Sequence, residues 1–298
     1  MSIIERALEK QRQSAGETSR QGQRVPGRVL EPAIALPAPS RERRVPAETI
    51  RVDQEALRAA GMLSPAEASE QITEQFRRIK WPLLEAVFGR SAGSQAVGNA
   101  VMITSAVSGE GKSFVCLNLA LSIARERDLE VLLIDADVAK RHLTRLLGAD
   151  ARRGLTDAAA DAALDAEQLV LGTTIPGLTF LPSGQRSAIA SELFASRRMA
   201  SLVDGLRKAD PRRIVLFDCS PLLATHETQV LASLVDQVVL VVRAEFTEQH
   251  LVLEAVDQLD RSKQIRCVLN QVRGSRLSEY YYYGYGQPPN QPNQPPNE

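Results

Sequence analysis

The stretch AVSGEGKS, residues 106–113, brings two glycines, a lysine and a hydroxyl into one short loop. The apolar run VMITS precedes it and the amphipathic stretch SFVCLNLALSIARE follows. Strand, glycine loop, Lys-Ser and helix is the order that a phosphate-binding loop requires. Gly109 and Gly111 let the backbone curl so that its N–H groups converge on phosphate oxygens. The N-terminus of the following helix adds positive potential. Ser108, Gly109, Glu110, Gly111, Lys112, Ser113 and Phe114 form the expected nucleotide-binding segment. In it Lys112 reaches the β- and γ-phosphates, and the Ser113 hydroxyl serves Mg2+. Ala106 stands where such loops usually begin with glycine, a tolerable change if its φ is negative.

Carboxylates follow at matching places. VLLIDAD ends an apolar run with Asp135 and Asp137, and RIVLFDCSP ends another with Asp218. In an open parallel sheet, ligands bind at the carboxyl ends of the strands. Acids there can hold Mg2+, for which Ser113, Asp135 and Asp218 are the candidates, and can orient or deprotonate a nucleophile. Lys112, Asp135, Asp137 and Asp218 are therefore the candidate catalytic residues. Asn270, closing the run IRCVLN, is a candidate for the adenine edge and equally for a satisfied strand end.

The third chemical feature is the C-terminal stretch SEYYYYGYGQPPNQPNQPPNE. Tyr280, Tyr281, Tyr282, Tyr283 and Tyr285 are the only five tyrosines in the chain. A tyrosine hydroxyl titrates near 10, so at neutral pH it attacks phosphorus only if positioned and deprotonated in the transition state. A self-modifying enzyme needs a reachable acceptor at high local concentration. Ten residues of tether from Asn270 to Tyr280 reach at most ~35 Å, enough for the chain's own site or a neighbour's. These tyrosines are read as phosphoacceptors; the plain alternative is an aromatic tail that binds a partner. The chemistry expected is transfer of the γ-phosphoryl group of Mg-ATP to this cluster. Asp137 is the favoured base, and the sequence leaves open which acid takes which part.

The elements that must position these groups are legible as a pattern. AVMITSA, VLLIDAD, LTFLPS, RIVLFDCS, QVVLVVRA and IRCVLNQV alternate with longer amphipathic stretches between about 98 and 272. Several of these runs are continuous Val/Ile/Leu blocks, as strands buried on both faces are. The expected fold is α/β: a doubly wound, mostly parallel sheet of the P-loop NTPase type with helices on both faces. Five segments are expected: a short amphipathic helix at 1–13, a flexible linker at 14–48, a helical lead-in at 49–97, the P-loop domain at 98–273, and a disordered tyrosine-rich tail at 274–298. In the lead-in, Ser64-Pro65 is a good helix start, Ile72, Phe76 and Ile79 recur at helical spacing, and Pro82 is expected to kink or end the helix.

The formal net charge is zero, which gives no electrostatic case for nucleic acid. Cys116, Cys219 and Cys267 lack paired spacing and sit in apolar runs, and are read as reduced core residues of a cytosolic protein, the alternative being a redox or metal role. No apolar stretch has the length of a membrane span and the N-terminus lacks the apolar core of a signal peptide. The chain is expected in the cytoplasm, reaching a membrane only through a partner.

On these residues the sequence resembles the bacterial tyrosine kinases of exopolysaccharide and capsule synthesis, in their stand-alone cytoplasmic form. SGEGKS is similar to the family's Walker A motif, VLLIDAD to its additional Walker A′ motif and IVLFDCSP to its Walker B motif. The helix EQFRRIKWPL resembles the family's E-x-x-R-x-x-R subunit-contact helix through Glu74, Arg77 and Lys80. LPSGQRSAIASELFAS resembles a further family stretch, and the tyrosine tail its autophosphorylation cluster. AAGMLSP and IKWPLLEAVFG look most like the autokinases of exosortase-linked polysaccharide loci.

The resemblance implies an ATP- and Mg2+-dependent protein-tyrosine autokinase that regulates exopolysaccharide polymerisation and export. It also implies homo-oligomer rings, an activating transmembrane polysaccharide co-polymerase, a cognate tyrosine phosphatase, and a place beside the inner membrane through that partner. Two departures stand out. Ala139 occupies the place of a usual arginine, whose contact would pass to Lys140 or Arg141 or be absent, and Lys80 replaces an arginine, losing its bidentate fork. The alternative is a nucleotide-switched scaffold of the partitioning and septum-positioning ATPases. Their signature lysine would fall at Val107, which cannot serve.

Overall fold

The computed structural model describes residues 46–63, 69–89 and 98–272. The segments expected at 1–13 and 274–298, most of that at 14–48, and the Ser64-Pro65 helix start lie outside the described residues. In chain order the strands are β1 (Thr49–Ile50), β2 (Ala100–Ser105), β3 (Glu130–Asp135), β4 (Leu171–Thr173), β5 (Leu178–Leu181), β6 (Arg213–Asp218), β7 (Gln237–Arg243) and β8 (Gln264–Asn270). The helices are α1 (Gln54–Ala59), α2 (Ser69–Phe88), α3 (Lys112–Ala124), α4 (His142–Leu146), α5 (Leu155–Ala160), α6 (Ala190–Phe194), α7 (Arg197–Lys208), α8 (His226–Leu234) and α9 (Gln249–Asp257).

The apolar runs become one sheet in the order β1-β4-β5-β3-β6-β2-β7-β8. Its pairs are parallel except β4 with β5. Strand side chains alternate between faces, and here both faces are covered. Val101, Ile103, Val131, Leu133, Ile214 and Leu216 join one apolar cluster, with α2 and α3 residues such as Leu83, Leu117 and Leu119. Met102, Leu132, Ile134, Val215 and Phe217 join the other, with Met199, Leu202 and Leu206 of α7. This is the expected doubly wound architecture, and it explains why the central strands carry no polar alternation.

Two expectations about the lead-in change. It is not wholly helical, since Thr49–Ile50 pairs with β4 as a further strand of the same sheet. Nor does Pro82 end the helix, because α2 runs from Ser69 to Phe88 through it. Leu83 and Leu84 beyond the proline are buried, and the Pro82 carbonyl accepts a bond from Arg266 Nη2 at 3.1 Å. Packing of the second half of the helix outweighs the one backbone bond that proline removes. Cys116 and Cys219 are buried as expected, whereas Cys267 is exposed, because β8 is an edge strand of the sheet. Among the described residues no helix is long and apolar enough to cross a membrane.

Candidate active site

β2 delivers the chain at Ser105 into the glycine loop, and α3 begins at Lys112. Ala106 is buried, and it is absent from the non-glycine residues with positive φ, so its side chain costs no strain. Gly109 and Gly111 take φ of 88° and 87°, the left-handed region open to glycine. Gly111 has a second reason to lack a side chain. A Cβ there would lie 2.2 Å from the Asn270 amide nitrogen.

That nitrogen donates to the Glu110 carbonyl at 2.8 Å. Asn270 thus latches the end of β8 to the loop. Glu110 itself is turned inward and 1% exposed. Its carboxylate accepts the Val107 N–H at 2.7 Å, the Thr247 hydroxyl at 2.6 Å and the Arg243 N–H at 3.3 Å. Its side chain staples the loop to the segment after β7 and leaves only its backbone for a phosphate. Phe114 packs into the core, its ring centroid 6.3 Å from that of Phe76.

The three acids come together with Lys112 at the carboxyl end of the sheet. Lys112 Nζ stands 3.1 Å from Asp137 Oδ2. Burial opposes the charge on Lys112, but Asp218 and Asp137 outweigh it and hold its pKa above the ordinary value. Burial likewise opposes the charge on Asp137. Lys112, the Ser220 hydroxyl and the Lys140 N–H prevail, and its pKa lies below the usual range. Its Oδ1 accepts from Ser220 at 2.8 Å and from Lys140 N–H at 3.1 Å.

Asp135 is fully buried, which pushes its pKa up to about 6 against the pull of Thr144. Its Oδ2 accepts the Thr144 N–H and hydroxyl at 2.7 and 2.8 Å, and its Oδ1 the Asp137 N–H at 3.2 Å. Asp218 is fully buried too, and burial raises it to about 7 even with Lys112 nearby. No hydrogen bond of regular geometry reaches either of its oxygens, although the Ser113 hydroxyl lies close enough to favour the charged form.

This donor set fits a divalent cation beside phosphates. Asp218 offers two buried carboxylate oxygens in need of a partner, and Ser113 a hydroxyl. Among the described residues no group of three or more His, Cys, Asp or Glu is arranged for a metal. An Mg2+ ion held there would need further ligands from phosphate and water, the usual pattern for that ion. Asp135, with both oxygens accepting bonds, has less to offer than Asp218.

Three hydroxyl residues that sequence reasoning passed over hold the acids in place: Thr144, Ser183 and Ser220. Ser183 donates its N–H to Thr144 Oγ1 at 3.0 Å, and Arg141 Nε donates to Ser183 Oγ at 3.1 Å. Ser183 belongs to the quoted LPSG stretch, and Ser220 follows Asp218 by two residues; those were the available signals. The expected contact residues do not stay together. Glu74 and Arg77 are half exposed or more on α2, 3.7 Å apart. Lys80 is buried, with its ammonium donating to the Ser122 carbonyl at 3.2 Å and paired with Glu126 on the α3 side. The five tyrosines lie outside the described residues.

A family model for the CobQ/CobB/MinD/ParA nucleotide binding domain matches residues 101–285. The tyrosine-protein kinase YwqD of Bacillus subtilis is 33% identical over 214 residues, covering 71% of this chain and 86% of YwqD. EpsB of Ralstonia nicotianae is 36% identical over 199 residues, 63% of this chain; the matched part spans only 26% of EpsB. Among solved structures, the VpsO kinase domain superposes with a TM-score of 0.53 at 32% identity, covering 59% of this chain and 86% of that one.

Proposed function

Because this chain belongs to the bacterial tyrosine kinases built on the CobQ/CobB/MinD/ParA nucleotide-binding domain, we propose that it is an ATP-dependent tyrosine autokinase whose acceptors are Tyr280–Tyr283 and Tyr285. The observation that carries this reading is the Lys112–Asp137 pair at the mouth of the glycine loop, 3.1 Å apart, with the unpartnered carboxylate of Asp218 beside it. The backbone of residues 108–114 binds the ATP phosphates. Ser113 and Asp218 would hold Mg2+, which would supply charge neutralisation at the phosphates.

Lys112 serves two partners in turn. Without nucleotide it is held by Asp137. Phosphate draws its ammonium away, and Asp137 Oδ2 is left free as an acceptor. Asp137 then takes the proton of the tyrosine hydroxyl as that oxygen bonds to the γ-phosphorus and the bond to the ADP oxygen breaks. Its low pKa keeps it ionised at neutral pH, and the Ser220 and Lys140 bonds to Oδ1 aim it. Asp135 acts behind it, holding the turn through Thr144 and the Asp137 N–H.

The cellular reading, regulation of exopolysaccharide polymerisation or export, follows the names of the relatives; the exosortase-associated subgroup rests on the likeness of AAGMLSP and IKWPLLEAVFG alone. An activating co-polymerase in the membrane, a cognate phosphatase and homo-oligomers complete it. Incubation of the full chain with Mg-ATP, with and without a co-polymerase cytoplasmic tail, followed by mass spectrometry of residues 278–286, tests it. Phosphate on the tyrosines that vanishes in Lys112→Met is expected. ATP binding without any phosphotyrosine in either arm would return the chain to the scaffold class.

A further inference from the structure

The segment after β3 carries two adjacent cations, Lys140 and Arg141, and the fold separates their work. Arg141 takes a left-handed backbone, with φ of 51°. Its guanidinium donates to Ser183 Oγ and to the Asp150 carbonyl, each at 3.1 Å, so it ties the turn to the chain after β5. Lys140 goes the other way. Its N–H is fixed on Asp137 Oδ1 at 3.1 Å, and its Nζ lies 3.4 Å from Ser108 Oγ. The exposed side chain therefore starts at the acid that faces Lys112 and ends at the lip of the glycine loop.

Among the described residues no carboxylate pairs with the Lys140 ammonium. A flexible cation without a counter-charge, stretched across the mouth of a phosphate loop, is electrostatically incomplete until an anion arrives. The anion must lie between Lys112 and the loop lip, on the Asp137 side. In the proposed reaction the group there is the terminal phosphate of ATP, while the inner phosphates sit deeper against the helix N-terminus.

We propose that Lys140 is a second phosphate-binding cation, specific for the terminal phosphate of ATP, and that Arg141 takes no part in nucleotide contact. This rests on the kinase reading of the same site. It answers what stands in for an arginine at Ala139: the next residue reaches over it. As a point charge on a flexible stem, Lys140 needs proximity rather than bidentate geometry.

The test compares affinities of the full chain for Mg-ADP and for a non-hydrolysable Mg-ATP analogue by calorimetry, in wild type, Lys140→Ala, Lys140→Arg and Arg141→Ala. Loss of one charge-assisted contact predicts about a tenfold or greater weakening for the ATP analogue in Lys140→Ala. ADP affinity should change less than about twofold on the same grounds. Lys140→Arg should restore the preference, since charge is kept. Arg141→Ala should lower the thermal midpoint and leave the ATP-to-ADP ratio intact. Equal weakening for both nucleotides in Lys140→Ala, or a ratio that moves with Arg141 instead, overturns the assignment. A wild type that binds the ATP analogue yet phosphorylates no tyrosine refutes the kinase reading alone; one that binds neither nucleotide refutes both.

Discussion

β3 and β6 run side by side and begin and end on charged pairs, Glu130 beside Arg213 at one end and Asp135 beside Asp218 at the other. The two ends treat buried charge differently. At the amino end Arg213 meets Glu167 through two bonds of 2.7 and 2.8 Å, and both side chains are nearly buried. The guanidinium and the Glu167 carboxylate satisfy each other there, and of the pair only the buried Arg213 Nε lacks a partner. At the carboxyl end one ammonium, Lys112, answers two carboxylates, Asp137 and Asp218, and Asp218 keeps two oxygens without a hydrogen bond of regular geometry. A closed pair is architecture. An open cluster holds its groups at unfavourable protonation until a cation or a phosphate completes it, and that poise is what a transfer site requires.

The largest effects should separate the ends by readout. Asp137→Asn keeps the Oδ1 acceptor for Ser220 and Lys140 but loses the base. Tail phosphorylation per folded molecule should fall by ~10²–10⁴, and an unchanged rate would move proton abstraction to another group. Arg213→Ala strands the Glu167 carboxylate and should cost about 3–5 kcal/mol in urea unfolding, with the rate per folded molecule intact. A loss of rate without loss of stability would make the amino end functional and erase the contrast.

Asp218 sharpens it through pH. Its folded pKa, about 7, is raised above the ordinary value of 3.8, so between those limits the folded state binds more protons than the unfolded state. Stability without nucleotide should therefore fall as pH rises from about 4 to 7, by on the order of 3 kcal/mol. Asp135, raised to about 6, adds in the same direction. Asp218→Asn should flatten most of that slope and raise the urea midpoint at pH 7; an unaltered slope would mean Asp218 is not the group responsible. The smallest effects lie on α2. Lys80→Ala should destabilise by about 1 kcal/mol or more through the lost α3 contacts. Arg77→Ala should stay within about 0.5 kcal/mol, as an exposed pair does. If light scattering finds an oligomer in wild type and none in Arg77→Ala, the cause is then contact rather than unfolding.

Much of the site was legible because its parts are local. Strand, glycine loop, Lys112-Ser113 and helix follow one another without a gap, and an acid that ends a buried strand must lie at the sheet's carboxyl edge. The same holds for the doubly wound core, since unbroken runs such as VLLI admit no solvent face. Of the two outcomes expected at Pro82, ending the helix did not occur, because a local rule met a long-range force: Leu83 and Leu84 are buried whether or not one helix bond is missing.

The sequence by itself determined the class of chemistry and the strands that carry it, because glycine torsions, apolar runs and strand-end acids act within a few residues of themselves. Only the tertiary structure decided which polar groups face inward as fasteners and which are left open. Glu110 meets Thr247 across 137 positions, Asp137 meets Ser220 across 83, and Asn270 returns to the loop across 160. Lys80 pairs with Glu126 across 46. Such partners are chosen by where the sheet brings distant strand ends together, and no pattern within one segment encodes that meeting.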